Sequence, residues 1–253
     1  MGRSKTGIIG GSGLENPDIL ISPVVTDPGT PYGSPSSTLL SGVIDGNDVV
    51  LLSRHGRDHT IPPSKVNNRA NIYALREAGC THIIATTACG SLREEIGRGD
   101  LVIPDQFIDF TRHRDITFFD EFAAGDLKHA PMADPFDNHL RSLIIGMAKE
   151  LGIAVHEKGT VITIEGPRFS TRAESRMFRQ WGADVINMSV APEVILANEA
   201  GIPYAAIAMS TDYDCWKEDE APVSWEEVLK VFGENVNNVL HLILKVISHM
   251  KRI

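Results

Sequence analysis

Three cysteines, Cys80, Cys89 and Cys215, are all that the 253-residue chain carries, at a spacing that fits neither a disulfide framework nor a zinc ligand set. A reducing compartment is therefore expected. Nowhere do roughly 18 uncharged apolar residues run together, the length a bilayer-spanning helix needs. The opening Met-Gly-Arg-Ser-Lys-Thr leads into only a short apolar run, unlike a secretory leader. A cytoplasmic protein without a membrane partner is the expectation. Basic charge is also scarce: 24 Lys and Arg stand against 33 Asp and Glu, a formal charge of −9. That leaves no positive field for a nucleic-acid backbone or an anionic lipid surface, although single arginines can still hold one anion. Internal repeats and low-complexity tracts are absent too.

What is present is 42% apolar and 23% charged residues, enough for a large core in one domain spanning residues 1–253. Strand-like runs at residues 6–9, 49–53, 82–86, 101–107, 161–165, 184–188 and 204–209 alternate with helical patterns at 67–78, 136–151, 171–181, 192–200 and 224–250. This alternation predicts an α/β fold. Thr171-Arg-Ala-Glu174 and Ser224-Trp-Glu-Glu227 both fit a capping box. Residues 109–135 are polar, aromatic and irregular, a candidate lid or contact loop.

Chemistry-bearing residues collect at the strand ends. Gly10-Gly-Ser-Gly13 lacks the third glycine of a dinucleotide fingerprint, and Asn16-Pro17 replaces its helix start. It remains a glycine turn whose N–H groups and Ser12 hydroxyl suit a phosphate ion, or a plain tight turn. Arg54, His55, Arg57 and His59 crowd one short stretch of an acidic protein, which reads as an anion site or as a surface loop paired by Asp58. Pro62 and Pro63 argue against a helix that would align His55 and His59 on a metal, so no metal is expected. Thr86-Thr-Ala-Cys-Gly-Ser91 ends a third strand with hydroxyls, and Cys89 reads as a buried thiol rather than a nucleophile, because no base accompanies it. Glu165-Gly-Pro-Arg-Phe169 offers a ring for a planar base or for the core, and Asn187-Met-Ser189 closes a fifth strand.

The run from Tyr204 to Asp214 ends in Asp212-Tyr-Asp214. Two residues apart on extended chain, the carboxyls point to one side and raise each other's pKa, or they cap the next helix or turn. Hydroxyl, cationic, aromatic and carboxylate groups at successive strand ends converge on one edge of an open α/β sheet, where such folds bind ligands.

Read in order, Ile8-Ile-Gly-Gly-Ser-Gly13, Ser53-Arg-His-Gly-Arg57, Thr87-Ala-Cys-Gly-Ser-Leu92, Ile164-Glu-Gly-Pro-Arg-Phe169, Gly182-Ala-Asp-Val-Ile-Asn-Met188 and Ser210-Thr-Asp-Tyr-Asp-Cys-Trp216 resemble the purine nucleoside phosphorylase family. Its branch acting on methylthioadenosine is the nearest pattern. The resemblance implies a three-layer α/β/α fold with a mixed central sheet and inorganic phosphate as co-substrate with no further cofactor. It also implies a homotrimer whose neighbours complete each site, or a hexamer as a dimer of trimers. Ser12, Arg54, His55, Thr87, Ala88 and Ser189 match phosphate-binding positions, and His55 is carried over as catalytic as well. Ile186, Asn187 and Met188 match the ribose side. Phe169, Ser170, Asp212 and Asp214 match the base pocket, and His129 resembles a histidine lent across a subunit interface. Trp225 departs from the branch, standing where a smaller apolar residue faces the 5′ substituent, with Val228 and Leu229 beside it.

Base choice can be argued from hydrogen-bond polarity. A 6-oxopurine offers an N1–H donor and an O6 acceptor, and adenine reverses both. Relatives that take oxopurines resemble this chain but carry Glu at the position of Ser170 and Asn at that of Asp212. A donating Ser170 and an accepting Asp212 therefore favour adenine. In the implied phosphorolysis Asp212 supplies a proton or hydrogen bond to N7, Asp214 supports it, and their roles are exchangeable. A purine nucleoside phosphorylase of broader specificity, a hydrolytic nucleosidase and a noncatalytic nucleoside-binding protein are the rival readings.

Overall fold

The computed structural model describes residues 4–11, 19–219 and 224–250, excepting the side chains of Trp225, Glu227 and Glu234. In chain order its strands are β1 (Lys5–Gly10), β2 (Ile21–Thr26), β3 (Leu39–Ile44), β4 (Asn47–Ser53), β5 (His82–Ser91), β6 (Leu101–Val102), β7 (Gln106–Phe110), β8 (Val155–His156), β9 (Thr160–Ile164), β10 (Val185–Asn187) and β11 (Tyr204–Tyr213). The helices are α1 (Asn68–Glu77), α2 (Asn138–Glu150), α3 (Arg172–Gln180), α4 (Val190–Glu199) and α5 (Trp225–His249).

Successive strand residues point to opposite faces, and that alternation sorts the core into layers. Ile9, Val50, Leu52, Ile83, Ala85 and Ala206 face α1 and α4, through Ile72, Leu75, Val190 and Val194. Their neighbours Ile8, Val49, Leu51, Ile84, Ala205 and Ile207 face α2 and α5, through Leu140, Ile144, Phe232, Val239 and Ile243. A third cluster joins Ile162, Ile164 and Ile186 to Phe178 of α3. The result is a three-layer α/β/α arrangement around an 11-stranded sheet, with the path β2-β3-β4-β1-β5-β10-β9-β7 and with β11, β6 and β8 branching from β5. The sheet is mixed: β1 runs parallel to β4 and β5, whereas β3 is antiparallel to β4 and β10 to β5.

Helix starts are set by local chemistry. Asn67 caps α1 through Ala70 N at 3.1 Å, and Asp137 caps α2 through Leu140 N at 2.8 Å. The Thr171–Glu174 capping box of α3 is formed in both directions, a contribution of about 1 kcal/mol. The box expected at Ser224 depends on the Glu227 side chain and lies outside the described residues.

Several expectations change in detail. Pro104 has no N–H for a ladder, and the strand expected over 101–107 is two strands, β6 and β7, that pair with different partners. The hairpin strands β2 and β3 and the short β8 were not anticipated; every residue of β2 is exposed, so it shows no alternation. Leu229 also leaves the buried stripe of α5. One residue on from buried Val228, and about 100° around the helix, it is 43% exposed. Among the described residues no helix is long and apolar enough to cross a membrane.

Candidate active site

Strand β5 is where the sheet branches. One edge pairs with β11 from Ile83 to Ser91. The other pairs with parallel β1 only as far as Ala85 and then takes up antiparallel β10 at Gly90. Such a switch in strand order leaves a crevice at the carboxyl ends of the parallel strands. A cavity of about 440 Å³ opens there, floored by Thr87, Ala88, Cys89 and Gly90.

One end of the cavity is built for an anion. Arg54 directly succeeds β4 and lies almost wholly buried. Its Nη1 donates to the Thr86 carbonyl at 2.8 Å, while Nε and Nη2 donate to the two carboxylate oxygens of Glu193. Thr87 Oγ1 and Ser189 Oγ lie 3.1 Å apart. Ser189 is the N-cap of α4, yet its hydroxyl makes no capping bond, so the helix start turns a hydroxyl and the positive end of its dipole to the cavity. Asn187 holds this corner: its Oδ1 accepts from Thr163 Oγ1 at 2.8 Å, and its Nδ2 donates to Thr87 Oγ1 at 3.4 Å.

His55 sits at the same end with Nδ1 2.8 Å from the Ile61 carbonyl. Burial first, and then the Arg54 charge, pushes its pKa down to about 4. The ring is neutral near pH 7, and with its Nδ1–H on Ile61 it presents Nε2 as an acceptor. His55 is thus not the cation its basic neighbourhood suggested; desolvation beside an arginine removes the charge. Its ring lies 4.7 Å from that of His59, and no group of three or more His, Cys, Asp or Glu side chains suited to a metal occurs among the described residues.

The opposite end carries the carboxylates. Register between β11 and β5 shifts between Ser210 and Asp212, a bulge of the kind that re-aims side chains. Asp212 then stands opposite Gly90, and both Asp212 and Asp214 line the cavity while Tyr213 turns away. Space at position 90 is tight: a Cβ would lie 3.0 Å from Asp212 Oδ2 and 3.4 Å from Asp214 Cβ, so a side chain there would press on the carboxylates. Thr211 Oγ1 donates to Asp212 Oδ1 at 2.7 Å. Ser170 Oγ lies 2.7 and 2.6 Å from the Asp214 oxygens and donates to that carboxylate. This corrects the expectation that Ser170 donates to a base. A hydroxyl has one hydrogen, and Asp214 takes it, leaving lone pairs. The thiol of Cys89 is pushed well up by burial and then by Asp212, so it is a neutral wall.

Between the two ends lie Ile186, Met188, Ile164, Pro167 and the half-exposed ring of Phe169, with Val228 of α5 closing one side. The cavity therefore brings together Arg54, His55, Thr87, Ala88, Phe169, Ser170, Ile186, Asn187, Met188, Ser189, Asp212, Asp214 and Val228. It does not bring in Leu229, nor His129, which is exposed in the 111–135 segment against Phe122. Ser12 and the side chain of Trp225 lie outside the described residues. Sequence reasoning missed Glu193, Thr211 and Arg114. The last is buried, donates to Glu165 Oε1 at 2.7 Å and reaches the Met188 carbonyl at 3.3 Å. An acidic or basic residue inside a helix or loop reads as solvated, so only the Asp-adjacent position of Thr211 carried any signal.

The family model described as "Phosphorylase superfamily" matches residues 5–248. A curated S-methyl-5′-thioadenosine phosphorylase of Xenopus tropicalis is 59% identical over 97% of this chain and 89% of its own length. Its counterpart in Danio rerio is 56% identical over the same shares. Among solved structures, a methylthioadenosine phosphorylase from Schistosoma mansoni in complex with adenine superposes with a TM-score of 0.95 at 41% identity, covering 99% of this chain and 93% of that one. A mutant adenosine/methylthioadenosine phosphorylase from the same organism, in complex with methylthioadenosine, gives 0.93 at 40% identity and the same coverage.

Proposed function

The chain belongs to the phosphorylase superfamily, and we propose that within it this enzyme cleaves S-methyl-5′-thioadenosine with inorganic phosphate to adenine and 5-methylthioribose 1-phosphate. The observation that carries the reading is the pairing of an anion end and a carboxylate end across one cavity of about 440 Å³. N-glycosidic cleavage builds positive charge on the sugar and negative charge on the purine. Phosphate held by Arg54, Thr87, Ser189 and the start of α4 stabilises the first and then bonds to C1′. His55 Nε2 accepts a hydrogen bond from the hydroxyl that monohydrogen phosphate retains. Asp212 delivers a proton or hydrogen bond to N7, and Asp214, steadied by Ser170, completes the base end.

Base selection rests on acceptors. The carboxylates of Asp212 and Asp214 and the lone pairs of Ser170 suit the N6–H donors of adenine and oppose the O6 acceptor of an oxopurine; each mismatch leaves a buried group unpaired at about 1–3 kcal/mol. Phe169 stacks on the ring, Met188 lies under the ribose, and Val228 meets the 5′ substituent. The products serve purine and methionine salvage. Phosphate is the co-substrate and no other cofactor is needed. We read the enzyme as a homotrimer, a view supported by the exposed aromatic segment 111–135, where Phe122, Leu127 and His129 stand away from their own cavity.

The test is a panel of methylthioadenosine, adenosine, inosine and guanosine with and without phosphate. Methylthioadenosine is expected to turn over fastest, only with phosphate, and to yield the sugar 1-phosphate. Equal turnover in phosphate-free buffer refutes the reaction class, and faster inosine cleavage refutes the base assignment.

A further inference from the structure

Resting on that reading, with Arg54 as the phosphate's cation, we propose that Glu193 is a positioning residue that sets where the Arg54 guanidinium meets the anion, and that Tyr204 in turn orients Glu193. The three side chains come from the end of β4, the first turn of α4 and the start of β11, and all are essentially out of solvent. Glu193 receives Arg54 on both oxygens, and the Tyr204 hydroxyl donates to Oε2 at 2.7 Å. The Thr86 carbonyl takes Nη1 from the third side. Gly11 leaves the room: a Cβ there would lie 2.7 Å from Arg54 Nη1 and 2.6 Å from the Thr86 oxygen.

Attraction alone does not explain this arrangement. A buried carboxylate on the guanidinium cancels the charge that would draw in an anion. What the pair supplies is placement, since the fork of Arg54 is held in one plane by a bidentate partner. Helix geometry makes the placement specific. Ser189 and Glu193 stand four residues apart at the head of α4, on one face; the element that offers the Ser189 hydroxyl also locks the arginine, so both phosphate contacts move together. Tyr204, kept protonated by burial and by the Glu193 charge, remains a donor.

Glu193→Asp keeps the charge and shortens the reach, Glu193→Gln keeps the reach and puts an amide donor against the Arg54 or Tyr204 donors, and Tyr204→Phe removes one hydroxyl. Phosphate KM, methylthioadenosine KM and kcat are measured for each, with calorimetric phosphate affinity and adenine binding as the check of an intact fold. Both Glu193 variants are expected to raise phosphate KM by about tenfold or more, the scale of an ångström-sized misplacement, while nucleoside KM stays within about twofold. Tyr204→Phe is expected to raise it by about two- to fivefold. A Glu193→Asp enzyme with wild-type phosphate KM, or a Glu193→Gln enzyme that binds phosphate more tightly, overturns placement in favour of charge cancellation. If neither Glu193 variant folds well enough to bind adenine, Tyr204→Phe decides, and an unchanged phosphate KM there overturns the proposal. Wild-type protein that binds phosphate but cleaves no nucleoside refutes the functional reading alone, because the variants' phosphate affinities still test the positioning.

Discussion

At the anion end of the cavity the buried Arg54 is held by buried Glu193 and the Thr86 carbonyl, and the buried His55 by the carbonyl of half-buried Ile61. At the base end the Phe169 ring stands 40% exposed, and the Asp212 and Asp214 carboxyls are met by the hydroxyls of Thr211 and Ser170. The difference matches the ligands. An inorganic anion has one shape, so its site gains from rigidity, whereas bases and 5′ groups vary and their site must be set by a few adjustable contacts. The same contrast is energetic: groups at the anion end are tied into the folded core by a buried ion pair, and those at the base end are not.

The strongest way to break the comparison is Asp212→Asn. Asparagine still accepts from Thr211, so stability should hold while kcat on methylthioadenosine falls by about 10²–10⁴ and inosine improves relative to adenine nucleosides. Steady-state kinetics beside a denaturant curve decides, and a loss of stability with little change in rate would reverse the assignment. Arg54→Met should do the opposite. It leaves Glu193 as an uncompensated buried charge, at a cost of about 3–5 kcal/mol by chemical denaturation, and raises phosphate KM without changing adenine affinity; a stable Arg54→Met protein would show that this end is not structural.

A smaller effect is set by pH. The folded His55 pKa of about 4 lies below the ordinary histidine value of 6.5, so between those values the unfolded chain takes up a proton that the folded chain refuses. Stability falls as pH drops through that window, by about 3 kcal/mol from this group, and the whole contribution is gone below it. Glu174, held at about 2 chiefly by Arg168, acts in the same direction but at lower pH. Urea midpoints at pH 7, 5.5 and 4 for wild type and His55→Gln separate the two; parallel curves would mean that His55 is charged in the fold.

Much of the architecture was legible because strands and helices repeat at different periods. The five helices lie within two residues of their expected ends, and in the fold Ile8 against Ile9 and Ile83 against Ile84 face the two opposite helix layers. The failures are physical. Strand β2 has no buried face to produce a pattern, and the Pro104 break was visible but overrun by the apolar residues around it. Strands β5 and β11 outlast their apolar runs because Thr87 to Ser91 pair with Ala208 to Tyr213, polar side chains notwithstanding. Site residues at strand ends were legible for the same reason that the strands were. Glu193, which contacts Arg54 across 139 residues of chain, was not.

By itself the sequence determined which chemical groups stand at which strand ends, since local periodicity and short motifs are properties of neighbours in the chain. Only the tertiary structure decided which of those groups keep their charge and where their hydrogens point: that Arg54 is paired, that His55 is neutral, and that Ser170 has turned its hydrogen to Asp214. Desolvation and hydrogen bonding depend on what lies within a few ångströms, and in this fold those neighbours come from β4, β5, α4 and β11, segments the chain brings together only by folding.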